Sequence, residues 1–167
     1  MIIELKQVFD IIGESFSFDY ALDLSDYELF NDHPFTSPVN VKGEVSNKAG
    51  IVLLQYTADF TLKLHCDRCL EVFDRDFHFA FEQILVTELN TDNDEYFVVE
   101  DNRLNLDELC VSDILLNLPS KLLCKPDCKG LCPKCGVNLN QKSCLCKKNE
   151  VDPRLAVLSQ LLVDDQD

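Results

Sequence analysis

Residues 52–85 read VLLQYTADFTLKLHCDRCLEVFDRDFHFAFEQIL. The even positions Val52, Leu54, Tyr56, Ala58, Phe60, Leu62 and Leu64 are apolar, while Gln55, Thr57, Asp59, Thr61 and Lys63 stand opposite them. Side chains alternate across a strand, so this pattern is one long strand with a buried face and a wet face. A second alternation follows, with Phe73, Phe77, Phe79, Phe81 and Leu85 set against Asp74, Asp76, His78 and Glu82. Two adjacent amphipathic strands joined by a short turn make an antiparallel hairpin, and its tip carries Cys66 and Cys69.

The flanking sequence extends the sheet on both sides. Phe16, Phe18, Tyr20, Leu22 and Leu24 alternate with Ser15, Ser17, Asp19, Ala21 and Asp23, and Val41, Gly43 and Val45 with Lys42, Glu44 and Ser46. Asn47 to Gly50 reads as the turn into the long strand. Beyond the hairpin, residues 89–95 form a polar loop and residues 96–100 a short strand. A helix opens at Asn105, with Leu106, Leu109, Cys110, Ile114, Leu115 and Leu118 at spacings of three and four, acids in its first turn, and a stop at Pro119. A second helix is expected from Asp152 and Pro153, with a Leu155, Leu158, Leu161 and Leu162 stripe. The fold class is therefore α+β: a mostly antiparallel curved sheet or partial β-barrel, two helices and a small Cys-rich module.

Charge divides the 167 residues into three parts. Residues 1–119, the acidic β-rich body, carry seven Lys+Arg against 24 Asp+Glu, a net of −17. Residues 120–150 carry seven Lys against Asp127 and Glu150, a net of +5, and residues 151–167 carry a net of −3. The whole-chain charge of −15 repels phosphate and excludes a basic nucleic-acid coat protein. No run of 18 apolar residues marks a membrane span, and the N-terminus lacks the basic-then-apolar pattern of an export signal. The expected compartment is the cytoplasm, where thiols stay reduced. Nine cysteines, an odd number, then favour metal binding over a disulfide framework.

Six of those cysteines lie in the basic segment, where residues 124–146 read CKPDCKGLCPKCGVNLNQKSCLC. Cys132-Pro-Lys-Cys135-Gly136 has the form of a zinc knuckle, since two thiolates two residues apart reach one ion and Gly136 permits the positive φ of the turn. Cys144 and Cys146 complete a four-thiolate site, with Asn138 and Asn140 turning the chain between the pairs. A closed tetrahedron of thiolates marks a structural Zn2+. A module of about 30 residues cannot bury enough apolar area to fold alone, and zinc binding at about 10–16 kcal/mol makes up the deficit. Cys124 and Cys128, with Cys66 and Cys69, make a second site that joins hairpin tip to module. Two other readings of the tip pair are small residues in a tight turn or a redox Cys-x-x-Cys. Disulfides or free thiols are the alternatives for the module.

Cys110 belongs to the apolar helix face as core. His65 is an alternative ligand beside Cys66, and Arg68 pairs with Asp67 or Glu71 or faces a partner. Lys121, Lys125, Lys129, Lys134, Lys142, Lys147 and Lys148 either offset the thiolate charge or form a phosphate-contacting face. The carboxylates read as solvated strand faces. No nucleophile-base arrangement, glycine-rich phosphate loop or His-Glu-x-x-His occurs, so no enzyme is expected.

The combination of Cys66-Asp-Arg-Cys69-Leu70, Leu118-Pro119, Leu123-Cys124, Asp127-Cys128-Lys129-Gly130-Leu131-Cys132-Pro133, Cys135-Gly136, Asn138-Leu139-Asn140, Cys144-x-Cys146 and Asp152-Pro153-Arg154-Leu155-Ala156-x-Leu158 resembles the YceD family of large ribosomal RNA subunit accumulation proteins, over about residues 62–162. The resemblance implies a bacterial cytoplasmic protein needed for synthesis or processing of 23S rRNA, with no established catalytic activity. The expected function is noncatalytic support of ribosome biogenesis. The acidic surface would bind a basic ribosomal or assembly protein, and the basic module would approach rRNA. No membrane or small-molecule partner is expected. The alternatives are an acidic adaptor for a basic protein without RNA contact, and a thiol oxidoreductase using Cys66 and Cys69.

Overall fold

A computed structural model describes residues 1–29, 31–88 and 96–146. Strand β1 (Ile2–Glu4) leads into a short helix α1 (Lys6–Asp10). Strands β2 (Ser15–Leu22), β3 (Val39–Lys48), β4 (Ile51–His65), β5 (Val72–Val86) and β6 (Tyr96–Val98) follow, then β7 (Arg103–Asn105) and helix α2 (Leu106–Asn117). The polar loop and the second helix expected from the sequence lie outside the described residues. Helix α1 takes the place of a second helix among those described, and only Val8 of its five residues is buried, too little to leave a periodic signal.

β2 to β6 form one curled sheet in chain order, a half-barrel. Its first three pairings are antiparallel, as expected, but β5 and β6 run parallel, with Ile84 opposite Tyr96 and Val86 opposite Val98. The sheet is therefore mixed. Three residues of pairing at the edge set this direction, which no alternation in so short a strand could announce. β1 and β7 form a separate antiparallel pair that brings the N-terminus to the start of α2.

β4 dominates the core. All seven of its even residues from Val52 to Leu64 are buried, and Leu54, Ala58 and Leu62 are fully so. Against this face pack Leu106, Leu109, Cys110 and Ile114 of α2, at the spacing of one helical face. Phe60 lies at the centre of an aromatic group, 5.4 Å from Phe77, 5.6 Å from Phe79 and 5.8 Å from Phe35 between ring centroids.

The β3–β4 turn is tighter than the sequence suggests. β3 runs to Lys48 and β4 starts at Ile51, leaving only Ala49 (φ 56°) and Gly50 (φ 89°) in the loop, both left-handed as a two-residue hairpin of this twist requires. Asn47 is a buried strand residue instead of a turn residue. Its Nδ2 donates to the Val8 carbonyl (2.8 Å), and its Oδ1 accepts from the Gly50 amide (3.0 Å).

One carboxylate departs from the solvated pattern. Asp113 on α2 is buried, accepting from the Tyr56 hydroxyl and from Gln83 Nε2 at 2.8 Å. Burial raises its pKa above the ordinary value, opposed by the hydrogen bonds from Tyr56 and Gln83. The folded state thus holds this proton more tightly than the unfolded chain does. That contribution is complete below the unfolded pKa and is lost as pH rises through the folded one. Asp113→Asn keeps an acceptor for Tyr56 without the buried charge. We expect it to raise Tm at neutral pH, with the gain shrinking as pH falls into the carboxylate range; a gain that did not vary with pH would contradict this account.

Candidate metal centres

The hairpin tip and the module each build a knuckle of the same form. In Cys66-Asp67-Arg68-Cys69-Leu70 the Leu70 amide donates to the Cys66 carbonyl at 2.9 Å, and in Cys132-Pro133-Lys134-Cys135-Gly136 the Gly136 amide donates to the Cys132 carbonyl at 2.8 Å. Both turns end in a left-handed residue, Leu70 at φ 60° and Gly136 at φ 72°. Glycine accepts that conformation freely, whereas a side chain such as leucine costs about 1–2 kcal/mol there. The absence of glycine after Cys69 hides the equivalence in the sequence.

Two groups of four sulfurs result: Cys66, Cys69, Cys124 and Cys128 in one, Cys132, Cys135, Cys144 and Cys146 in the other. Within each group the ligand atoms all lie within 4.8 Å of one another. Cys66 to Cys128 and Cys69 to Cys124 are each 3.7 Å between sulfurs, and Cys132 to Cys144 is 3.4 Å. A tetrahedral Zn2+ with bonds near 2.3 Å has sulfur–sulfur edges of about 3.8 Å, whereas a disulfide requires about 2.05 Å. The donor sets thus suit a metal ion, and all nine cysteines are free. Cys110 stands apart from both groups in the core, its thiol pushed up to about 12 by burial.

The first group stitches the module to the sheet. The Asp67 amide donates to the Leu122 carbonyl (2.9 Å), the Leu122 amide to Asp67 Oδ2 (2.6 Å), and the Leu131 amide to the Arg68 carbonyl (3.0 Å). Arg68 pairs with neither Asp67 nor Glu71. Its Nη1 donates to the Cys128 carbonyl at 2.8 Å, so it closes the same junction. Gly130 passes the tip at φ 73°, where a Cβ would stand 2.9 Å from the Arg68 carbonyl oxygen. His65 is outside the sulfur group; its Nε2 faces Asp32 at 3.6 Å.

Asn140 links the two centres, a role its place in a turn did not reveal. Its Nδ2 donates to Cys128 Sγ (3.3 Å), its Oδ1 accepts from the Lys129 amide (2.9 Å), and its own amide donates to Asn138 Oδ1 (2.9 Å). Such contacts to a ligand sulfur orient it and tune its charge.

In each group the first knuckle cysteine is prepared as a thiolate. Burial pushes Cys66 up, but amides of Cys124, Arg68 and Cys69 aimed at its sulfur outweigh this and bring it down to about 6. The Cys135 and Lys134 amides bring Cys132 down to about 6. Burial drives Cys124 up to about 12, and hydrogen bonding with Cys135 drives Cys146 up to about 12. Metal must displace the protons of such thiols. Metal affinity should therefore decline as pH falls from neutrality, and more steeply below about 6 as Cys66 and Cys132 also protonate. Competition with a chromophoric chelator across pH measures this, and a flat profile would exclude thiolate ligation.

The two centres differ in cover. Cys66, Cys69 and Cys128 of the first are buried, while Cys135 of the second is exposed. Limiting chelator should therefore take metal first from the Cys132 centre.

A half-barrel whose hairpin tip and C-terminal module together form two four-sulfur groups is a cysteine-ligand scaffold able to hold metal. The chain belongs to the YceD family: the family profile described as "Large ribosomal RNA subunit accumulation protein YceD" matches residues 54–162. The uncharacterized protein YlbN of Bacillus subtilis is 30% identical over 98% of this chain and 97% of its own length. An uncharacterized protein of Mycobacterium tuberculosis is 32% identical over 61% of this chain, which spans 51% of that relative's length. The chloroplastic protein of Arabidopsis thaliana named large ribosomal RNA subunit accumulation protein YCED homolog 1 is 25% identical over 78% of this chain and 50% of its own length. No solved structure matches. No helix among the described residues is long and apolar enough to cross a membrane.

Proposed function

We propose that this protein is a noncatalytic cytoplasmic factor in ribosome biogenesis that supports synthesis, processing or accumulation of 23S rRNA. The family match across residues 54–162 carries this reading, because it spans the hairpin and both sulfur groups. Each group holds a structural Zn2+. Four sulfurs fill a tetrahedron and leave no open position for a reacting water, so the metal holds shape. In this role Cys66 is one of four sulfurs gathered at its knuckle, with Cys69, Cys124 and Cys128.

Depletion of the protein should lower 23S relative to 16S rRNA, and an unchanged ratio would remove the reading. A second reading, an adaptor for a basic ribosomal or assembly protein without RNA contact, is favoured by the wet face of the sheet. Asp19, Glu44, Asp59, Asp76 and Glu82 lie on that face, opposite the buried row. Nuclease-resistant co-purification of a basic protein, with no RNA bound, would support it over the first.

A further inference from the structure

A cleft of about 800 Å³ opens onto the Cys132 centre, with Cys132, Cys144 and Cys146 in its wall. Lys129, Lys134 and Lys142 line it, with Asn140, Gln141 and Ser143 among the polar groups between them. No carboxylate lines it, although Glu71 accepts a hydrogen bond from Gln141 at its edge. All three lysines are exposed, and none forms an ion pair among the described residues. In the body, Lys42 pairs with Asp19 and Arg103 with Glu4, whereas Lys6, Lys48, Lys63 and Arg75 form no ion pair among the described residues.

Three converging cations need an account. Neutralising the metal centre explains part of the charge: four thiolates on a divalent ion leave about −2. Three lysines exceed that by one, and they surround an open concavity instead of the sulfurs alone. Hydroxyl and amide groups between ammonium ions are the donors that phosphate oxygens accept from. The cleft contains no aromatic side chain for stacking a base, so its chemistry addresses the backbone and not sequence.

We infer that this metal-ordered cleft is the RNA contact of the protein, gripping about three backbone phosphates of a single strand through Lys129, Lys134 and Lys142. This inference rests on the proposed role in rRNA accumulation and deepens it. The acidic body, turned toward the same RNA, repels it and limits contact to this end of the molecule. The arrangement yields modest, sequence-independent and salt-sensitive affinity.

The test uses the full chain loaded with two equivalents of zinc and a fluorescein-labelled single-stranded RNA oligomer, followed by anisotropy over a range of salt. Each phosphate neutralised on a single strand contributes about −0.7 to the slope of log K against log salt, so three contacts give about −2. Replacing Lys129, Lys134 and Lys142 together by alanine should remove that slope while leaving both zinc equivalents bound, which shows that the module still folds. Lys48→Ala, at the end of β3 away from the hairpin tip, should change nothing. Inorganic phosphate should compete only at much higher concentration than the oligomer.

Three results overturn the inference: no RNA binding by the parent protein, an unchanged slope in the zinc-replete triple variant, or inorganic phosphate binding as tightly as the oligomer. Complementation separates this from the wider reading. A triple variant that fails to bind RNA yet restores 23S rRNA to a depleted cell rejects the cleft and keeps the function. Depletion without effect on 23S rRNA rejects the function whatever the oligomer does.

Discussion

If each sulfur group holds Zn2+ as proposed, Cys66→Ser should release one of two zinc equivalents and undock the module from the sheet. Serine is a poor zinc ligand at neutral pH, and three remaining thiolates no longer close the tetrahedron. Apparent zinc binding energies of about 10–16 kcal/mol order segments of this size, so even partial loss exceeds what the interface hydrogen bonds supply at about 1 kcal/mol each. The amides of Asp67, Leu122 and Leu131, which tie tip to module, should then lose protection against exchange. The Cys132 centre should keep its metal, because its four ligands all come from residues 132–146. Cys110→Ala is the control: this core cysteine touches neither group and its loss should leave both equivalents in place. Two equivalents of zinc and protected amides in Cys66→Ser would refute the assignment of the first centre.

Phe60→Ala should cost about 3–5 kcal/mol, a large share of a stability that is usually about 5–15 kcal/mol. The ring is 5% exposed and stacks nearly parallel on Phe77, with 17° between planes, while Phe35 and Phe79 close around it. Truncation leaves a cavity walled by three other rings, which cannot collapse together without moving β4 and β5. Tm should fall by about 10 °C. Zinc content at room temperature should not change, because the ligands lie beyond the strand ends. A Tm within about 1 °C of the parent would show that the aromatic group is loosely packed. Together the two variants separate the forces: one removes metal from an intact core, and the other weakens the core under intact metal.

The long hairpin was legible because alternation over thirteen residues admits only one reading. Every even position from Val52 to Leu64 is buried, and the α2 stripe from Leu106 to Ile114 packs as its spacing implies. The first sulfur group was legible as a count of cysteines but not as a shape. Its four ligands come from two segments more than 50 residues apart, with Cys69 and Cys124 separated by 55 positions. The second knuckle carried its glycine and was readable locally, whereas the first carries Leu70 in the same conformation. Arg68 and Asn140 stood out as a charge and a turn residue, but their partners, the Cys128 carbonyl and the Cys128 sulfur, were not readable from their neighbours.

Local pattern alone determined the strands, the helix before Pro119, the acidic body and the basic Cys-rich stretch, because side-chain alternation and charge are properties of neighbours along the chain. Tertiary structure alone decided the parallel edge strand, the burial of Asp113, the junction of tip and module, and the gathering of Lys129, Lys134 and Lys142 around one cleft. The first three depend on how separate segments pack together and not on the residues on either side, and the last on the folding back of the module itself, as where the Leu139 amide donates to the Gly130 carbonyl.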